Sequence, residues 1–91
     1  MSKFEETMSA FGYVLEEQEG SKKLTYQKRT QFSFLVLVFD LELKYINPIL
    51  VPSSVLLYDK DIVELYQDFK KLREDARLIA AMTNGKYKVL N

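Results

Sequence analysis

The sequence predicts an α+β fold: an antiparallel meander of three or four strands with a short N-terminal helix and a long C-terminal amphipathic helix packed over it, in the order α-β-β-β-(β)-α. Three observations carry this expectation. A helix-start signal near the N-terminus is followed by apolar residues at helical spacing. The middle third alternates apolar residues with period two. A stripe with three- and four-residue spacing then runs through the last third. A chain of 91 residues is too short to divide into two units that each bury a core, so residues 1–91 are read as one domain.

Ser2-Lys3-Phe4-Glu5 matches a capping box, in which the Ser hydroxyl and the Glu carboxylate each accept from an otherwise unpaired backbone N–H. Phe4, Met8 and Phe11 then form one apolar stripe, and Gly12 is placed to end the helix in a left-handed conformation. Two turns of helix are too few to stand alone, so this element must dock on the remainder.

Tyr13–Glu19 and Lys22–Arg29 flank Gly20-Ser21, a pair suited to a two-residue hairpin turn with Gly supplying the positive φ. That loop length sets Glu19 against Lys22, Gln18 against Lys23 and Leu15 against Tyr26, and collects Tyr13, Leu15, Leu24 and Tyr26 on one face.

From Gln31 to Ile46, Leu35, Leu37, Phe39, Leu41, Leu43 and Tyr45 share one face, which must be buried. The second face is apolar first (Phe32, Phe34, Val36, Val38) and then charged (Asp40, Glu42, Lys44). A straight strand over this segment would reach roughly 50 Å, longer than a domain of this size is wide, so a bulge is expected near Asp40. Asn47-Pro48 reads as a turn, and Ile49–Val51 with Val55–Tyr58 as a short fourth strand that Pro52 confines to an edge.

Asp59 reads as the N-cap of the major helix, whose stripe of Ile62, Leu65, Tyr66, Phe69, Leu72 and Ala76, extended by Ile79 and Ala80, is long enough to cover the sheet. Asn84-Gly85 is its stop signal, and Lys86–Asn91 reads as a tail or a short extra strand.

Composition narrows the chemistry. Lys plus Arg equals Asp plus Glu, at 13 each, so no global field draws the chain to nucleic acid or an anionic membrane. There is no Cys and no His, which removes thiolate chemistry, the commonest neutral-pH base and the usual activating triads. The N-terminal segment lacks the basic and long apolar regions of a secretory signal, and Phe34–Phe39 is too short to span a bilayer as a helix, so a cytoplasmic protein without membrane association is expected.

Of Glu16, Glu17 and Glu19, neighbouring positions point to opposite strand faces and Glu19 has a cross-strand Lys partner, so no cation site is expected, while Asp59 and Asp61 suit a helix N-terminus for dipole reasons. Asp40 and Glu42, about 7 Å apart along a strand, have the separation of an acid–base pair but no cleft or positioning groups. Catalytic, metal-binding and cofactor-binding residues are therefore expected to be none. Cations cluster at Lys22, Lys23, Lys28 and Arg29 on the hairpin, and at Lys70, Lys71, Arg73 and Arg77 on the helix, where Lys70–Glu74, Lys71–Asp75 and Glu74–Arg77 are set as local ion pairs.

The short capped helix ending in Phe11-Gly12-Tyr13, the acidic-then-basic hairpin around Gly20 and the amphipathic helix resemble small α+β accessory proteins carried by phages and plasmids of low-GC bacteria. The apolar run from Phe32 to Leu43 departs from the polar strands such proteins show there. The resemblance implies a mobile-element accessory protein and assigns no site residues.

The residues themselves point to a non-enzymatic protein-interaction module. Its candidate interface is Phe32, Phe34, Val36 and Val38, covered either by the N-terminal helix or by another chain, with a homodimer as the leading case. The alternative is a nucleic-acid-binding factor that uses Lys22, Lys23, Lys28 and Arg29.

Overall fold

The computed structural model describes residues 3–20, 22–53 and 59–90. Ser2 of the capping box, Ser21 of the hairpin turn, the Val55–Tyr58 half of the expected fourth strand and Asn91 lie outside them, as do the side chains of Glu19, Asp59 and Lys60. The elements are α1 (Lys3–Ala10), β1 (Val14–Glu19), β2 (Lys23–Arg29), β3 (Ser33–Asp40), β4 (Tyr45–Pro52), α2 (Asp59–Met82) and β5 (Lys88–Val89). The strands lie in the order β1-β2-β3-β4-β5, antiparallel except for the parallel β4–β5 pair that α2 connects. The predicted class and element order hold, with one more strand than expected.

The core occupies one face of the sheet. Leu35, Leu37 and Phe39 of β3 and Ile46 of β4 are fully buried there, against Met8 of α1 and Leu72, Ala76 and Ile79 of α2. Phe39 is the centre of an aromatic cluster, packing edge-on with Phe4 (5.1 Å), Tyr26 (5.7 Å) and Tyr87 (5.8 Å). Such edge-to-face contacts add to the area each ring buries. Gly12 closes α1 at a φ of 86°, as expected, a conformation that strains any other residue, and a Cβ there would also press on the Lys28 side chain at 3.0 Å.

Three expectations are corrected. The hairpin loop is one residue longer than the expected two: Glu19 pairs with Lys23 and Gln18 with Leu24, and a bulge between Leu15 and Glu17 absorbs the slip, so that Leu15 still faces Tyr26. The long β segment does not bulge at Asp40 but turns back. Oδ1 of Asp40 accepts from the backbone N–H groups of Glu42 (3.0 Å) and Leu43 (2.8 Å), and Lys44 takes a φ of 62°. Leu43 consequently lies 67% exposed in the turn instead of on the buried face.

Asn47-Pro48 is not a turn but the middle of β4. The amide of Ser53 donates to Phe32 across the β3 side, whereas the carbonyls of Lys44 and Ile46 accept from β5. Backbone groups of even-numbered β4 residues therefore face away from β3. Pro48 and Pro52 are both even, so neither removes a bond from the β3–β4 ladder. β5 pairs only with Tyr45 and Ile46. Beyond it the edge of β4 offers Leu50 as its one outward N–H up to Pro52, which blunts it against strand addition.

The helix stripe is corrected as well. The buried line of α2 runs through Leu72, Asp75, Ala76 and Ile79, while Ile62, Tyr66 and Phe69 are exposed. Asn84 and Gly85, both at positive φ, end the helix as expected, and Tyr87 is buried just before β5.

Candidate functional site

Because side chains alternate along a strand, the face opposite the core carries Phe34, Val36 and Val38 of β3, paired across β4 with Val51, Ile49 and Asn47. Tyr45 continues the row at one end. Phe4, Met8 and Phe11 pack into the core on the other side of the sheet, and so do the buried residues of α2. Neither helix covers this face. Ile49 (38%), Val51 (43%) and Tyr45 (37%) are exposed on it, while Val36 at its centre is 9% exposed. Phe32 does not belong to β3: it lies partly buried in the preceding turn, its carbonyl accepting from Ser53. Charges lie around this apolar centre, with Arg29 across from Phe34, Lys23 across from Asp40, and Lys88 beside Tyr45.

The four hairpin cations do not form one patch. Lys23 and Arg29 fall on the open face, where the Arg29 guanidinium lies 5.6 Å from the Phe34 ring, and Lys22 sits exposed in the loop. Lys28 points to the core side. Its ammonium donates to the carbonyl of Phe11 (2.9 Å) and to Asp75 Oδ2 (3.1 Å), and lies 4.7 Å from the centre of the Tyr13 ring. Asp40 is occupied in capping the β3–β4 turn and Glu42 is exposed in it, so the two do not converge across a cleft. No group of three potential metal ligands occurs among the described residues.

The polar centre around Asp75 is not visible in the sequence reading, which placed Asp75 on a solvated helix face. Asp75 is wholly buried, with Oδ2 accepting from Tyr13 Oη (2.9 Å) and from Lys28, and Oδ1 3.2 Å from the Lys71 ammonium without an aligned hydrogen bond. Of the three expected helix ion pairs this is the one that forms; Lys70–Glu74 and Glu74–Arg77 are not among the ion pairs of the described residues. The cue was spacing, since Asp75 stands three residues after Leu72 and four before Ile79 and so shares their buried line. Asp68, seven residues earlier, accepts from the hydroxyls of Thr30 (2.7 Å) and Ser33 (2.8 Å). The two carboxylates thus tie α2 to the sheet, Asp68 at the β2–β3 turn and Asp75 beside Lys28 and the end of α1.

Burial, then the charge of Asp75 and its hydrogen bond, holds the Tyr13 phenol far above its ordinary value of 10.0. Burial, with the charges of Glu5 and Asp40 respectively, raises Tyr26 and Tyr87 as well. Unfolded tyrosines lose their protons near pH 10 while these keep theirs. The unfolded chain then binds fewer protons, and stability, complete below about pH 10, falls as the pH climbs beyond it. Tyr13→Phe is expected to flatten that fall by up to about 1.4 kcal/mol per pH unit, measured by urea unfolding across the alkaline range. An unchanged slope would show that Tyr13 ionises freely in the folded protein.

The structure defines a two-layer α+β protein, two helices on one face of a five-stranded, mostly antiparallel sheet whose other face carries an apolar row. No helix of the described residues is long and apolar enough to cross a membrane. No family model matches the chain, and neither the curated proteins nor the solved structures contain a match to it.

Proposed function

We propose that this protein is a non-enzymatic interaction module that pairs with a second copy of itself through the open sheet face. The observation that carries this reading is the row Phe34, Val36 and Val38 beside Ile49 and Val51, free of charge at its centre and left bare by both helices. An apolar face of this kind is ordinarily covered in a protein of this size.

The charges around the patch favour a second copy over an unlike partner. Lys23 and Lys88 flank Asp40 at one end of this face and Arg29 lies at the other end across from Phe34, so a twofold axis through the centre can set opposite signs against each other at the rim. The four longer strands give a flat footprint of about 20 by 24 Å. That is roughly 480 Å2 before the relief of the side chains is added, against about 600–1,000 Å2 per partner buried in stable complexes.

Sedimentation velocity over a concentration series tests the reading. A dimer with a dissociation constant in the micromolar range or below is expected, and a species that stays monomeric at millimolar concentration overturns it.

A further inference from the structure

A second surface lies on α2, on the flank beside its buried line. Ile62, Tyr66 and Phe69 are 56, 59 and 38% exposed, and Lys70, Arg73 and Arg77 follow them along the same flank. The Lys70 ammonium lies 5.8 Å from the centre of the Tyr66 ring, and the Arg73 guanidinium 5.8 Å from that of Phe69. A shallow groove of about 460 Å3 is lined by these two rings, the three cations and Glu74. Helical spacing puts Ile62, Tyr66, Phe69, Arg73 and Arg77 in one band about 22 Å long, aliphatic at its N-terminal end and cationic at its C-terminal end.

We propose that this band docks an acidic amphipathic helix of a partner protein. The groove holds three cations against one carboxylate, and among the described residues neither Lys70 nor Arg77 is ion-paired with that Glu74. In a chain of zero net charge this is a local excess, and its complement is an acidic surface. Exposed aromatic rings with Arg beside them have the composition of binding hot spots. A straight band with anchors at i, i+4 and i+7 fits a helix laid along it, apolar toward Ile62 and acidic toward Arg77. A single-stranded nucleic acid fits less well: cations already lie against the two rings that would stack on bases, and Ile62 and Val63 offer no π face to stack on.

Fluorescence anisotropy tests this with the full chain and a labelled synthetic helix of about 18 residues, carrying Leu at i, i+3, i+4 and i+7 and Glu at the flanking positions. The peptide is expected to bind, more weakly as salt rises. The loss should be about tenfold or more in the Lys70→Glu/Arg77→Glu double variant, in Tyr66→Ala, and when Gln replaces Glu in the peptide. All the changed side chains of the protein are exposed, and unaltered thermal unfolding of each variant confirms that the fold is intact. The proposal is overturned if the charge-reversed variant binds equally, if a Lys version of the peptide binds as well, if the acidic peptide fails to bind at low salt, or if an oligothymidylate strand binds more tightly. Because none of these variants touches the open sheet face, dimer formation is read separately and stands or falls on its own.

Discussion

Lys28→Met is expected to destabilise the protein by about 3 kcal/mol, a loss that follows from stranding a buried carboxylate. The Lys28 ammonium is the closest positive charge to Asp75, at 3.1 Å, and Asp75 has no exposed surface through which water could replace it. Tyr13 still donates to Oδ2 and Lys71 still lies near Oδ1, which places the cost at the lower end of the range for a broken buried pair. The carbonyl of Phe11 at the end of α1 loses its donor in the same variant. Urea unfolding measures the change, which for a domain of this size is a fall of roughly 12–24 °C in melting temperature.

Two further variants separate the pair from general packing. Lys71→Met should cost under about 1 kcal/mol, because its side chain is 56% exposed and its attraction is screened. Lys28→Met combined with Asp75→Leu should recover much of the loss, since neither charge then remains to be desolvated. A Lys28→Met protein within about 0.5 kcal/mol of the parent would show that Asp75 is not held as a buried charge.

The β3 strand was legible because alternation is a local property: Leu35, Leu37 and Phe39 repeat every second residue and are all fully buried. The turn after Asp40 was not, because Leu41, Leu43 and Tyr45 continue the same alternation through it. Only Leu41 of these packs against the core, while Leu43 points to solvent and Tyr45 emerges on the opposite face. What stops the strand is the Asp40 carboxylate gathering two backbone amides, which hydrophobic periodicity does not report. Pro48 misled for a related reason. A proline in mid-strand is excluded only where its nitrogen faces a neighbour, and that depends on the register with β3 and on where β5, beyond α2, joins the edge.

The orientation of α2 does not follow from its apolar residues because two aspartates that face the sheet, Asp75 wholly and Asp68 partly buried, break the apolar line. Ile62, Tyr66 and Phe69 were therefore assigned to the core and the true seam through Asp68 and Asp75 was missed. Of the candidate interface, Phe34, Val36 and Val38 were placed correctly on one face by alternation alone. That the N-terminal helix leaves this face bare depends on which side of the sheet α1 packs, and no local pattern in Phe4, Met8 and Phe11 encodes that choice.

Placing lysines at Ile49 and Val51 together is expected to weaken self-association at least 100-fold, about 2.7 kcal/mol, while leaving the monomer folded. Both side chains are already 38 and 43% exposed within one chain, so each charge stays hydrated in the monomer and must be desolvated only when a second copy arrives. A twofold axis brings four such charges to the apolar centre with no carboxylate there, since the nearest acid on β3 is Asp40, across from Tyr45 at the far end of the strand. Leu43→Lys is the control: Leu43 is 67% exposed in the turn outside the proposed contact, and its charge should leave the dissociation constant unchanged. Sedimentation velocity supplies the constants and urea unfolding of dilute samples the monomer stability. If the double lysine variant dimerises as the parent does, the copies meet elsewhere, and the open sheet face must be left to solvent or to some other occupant.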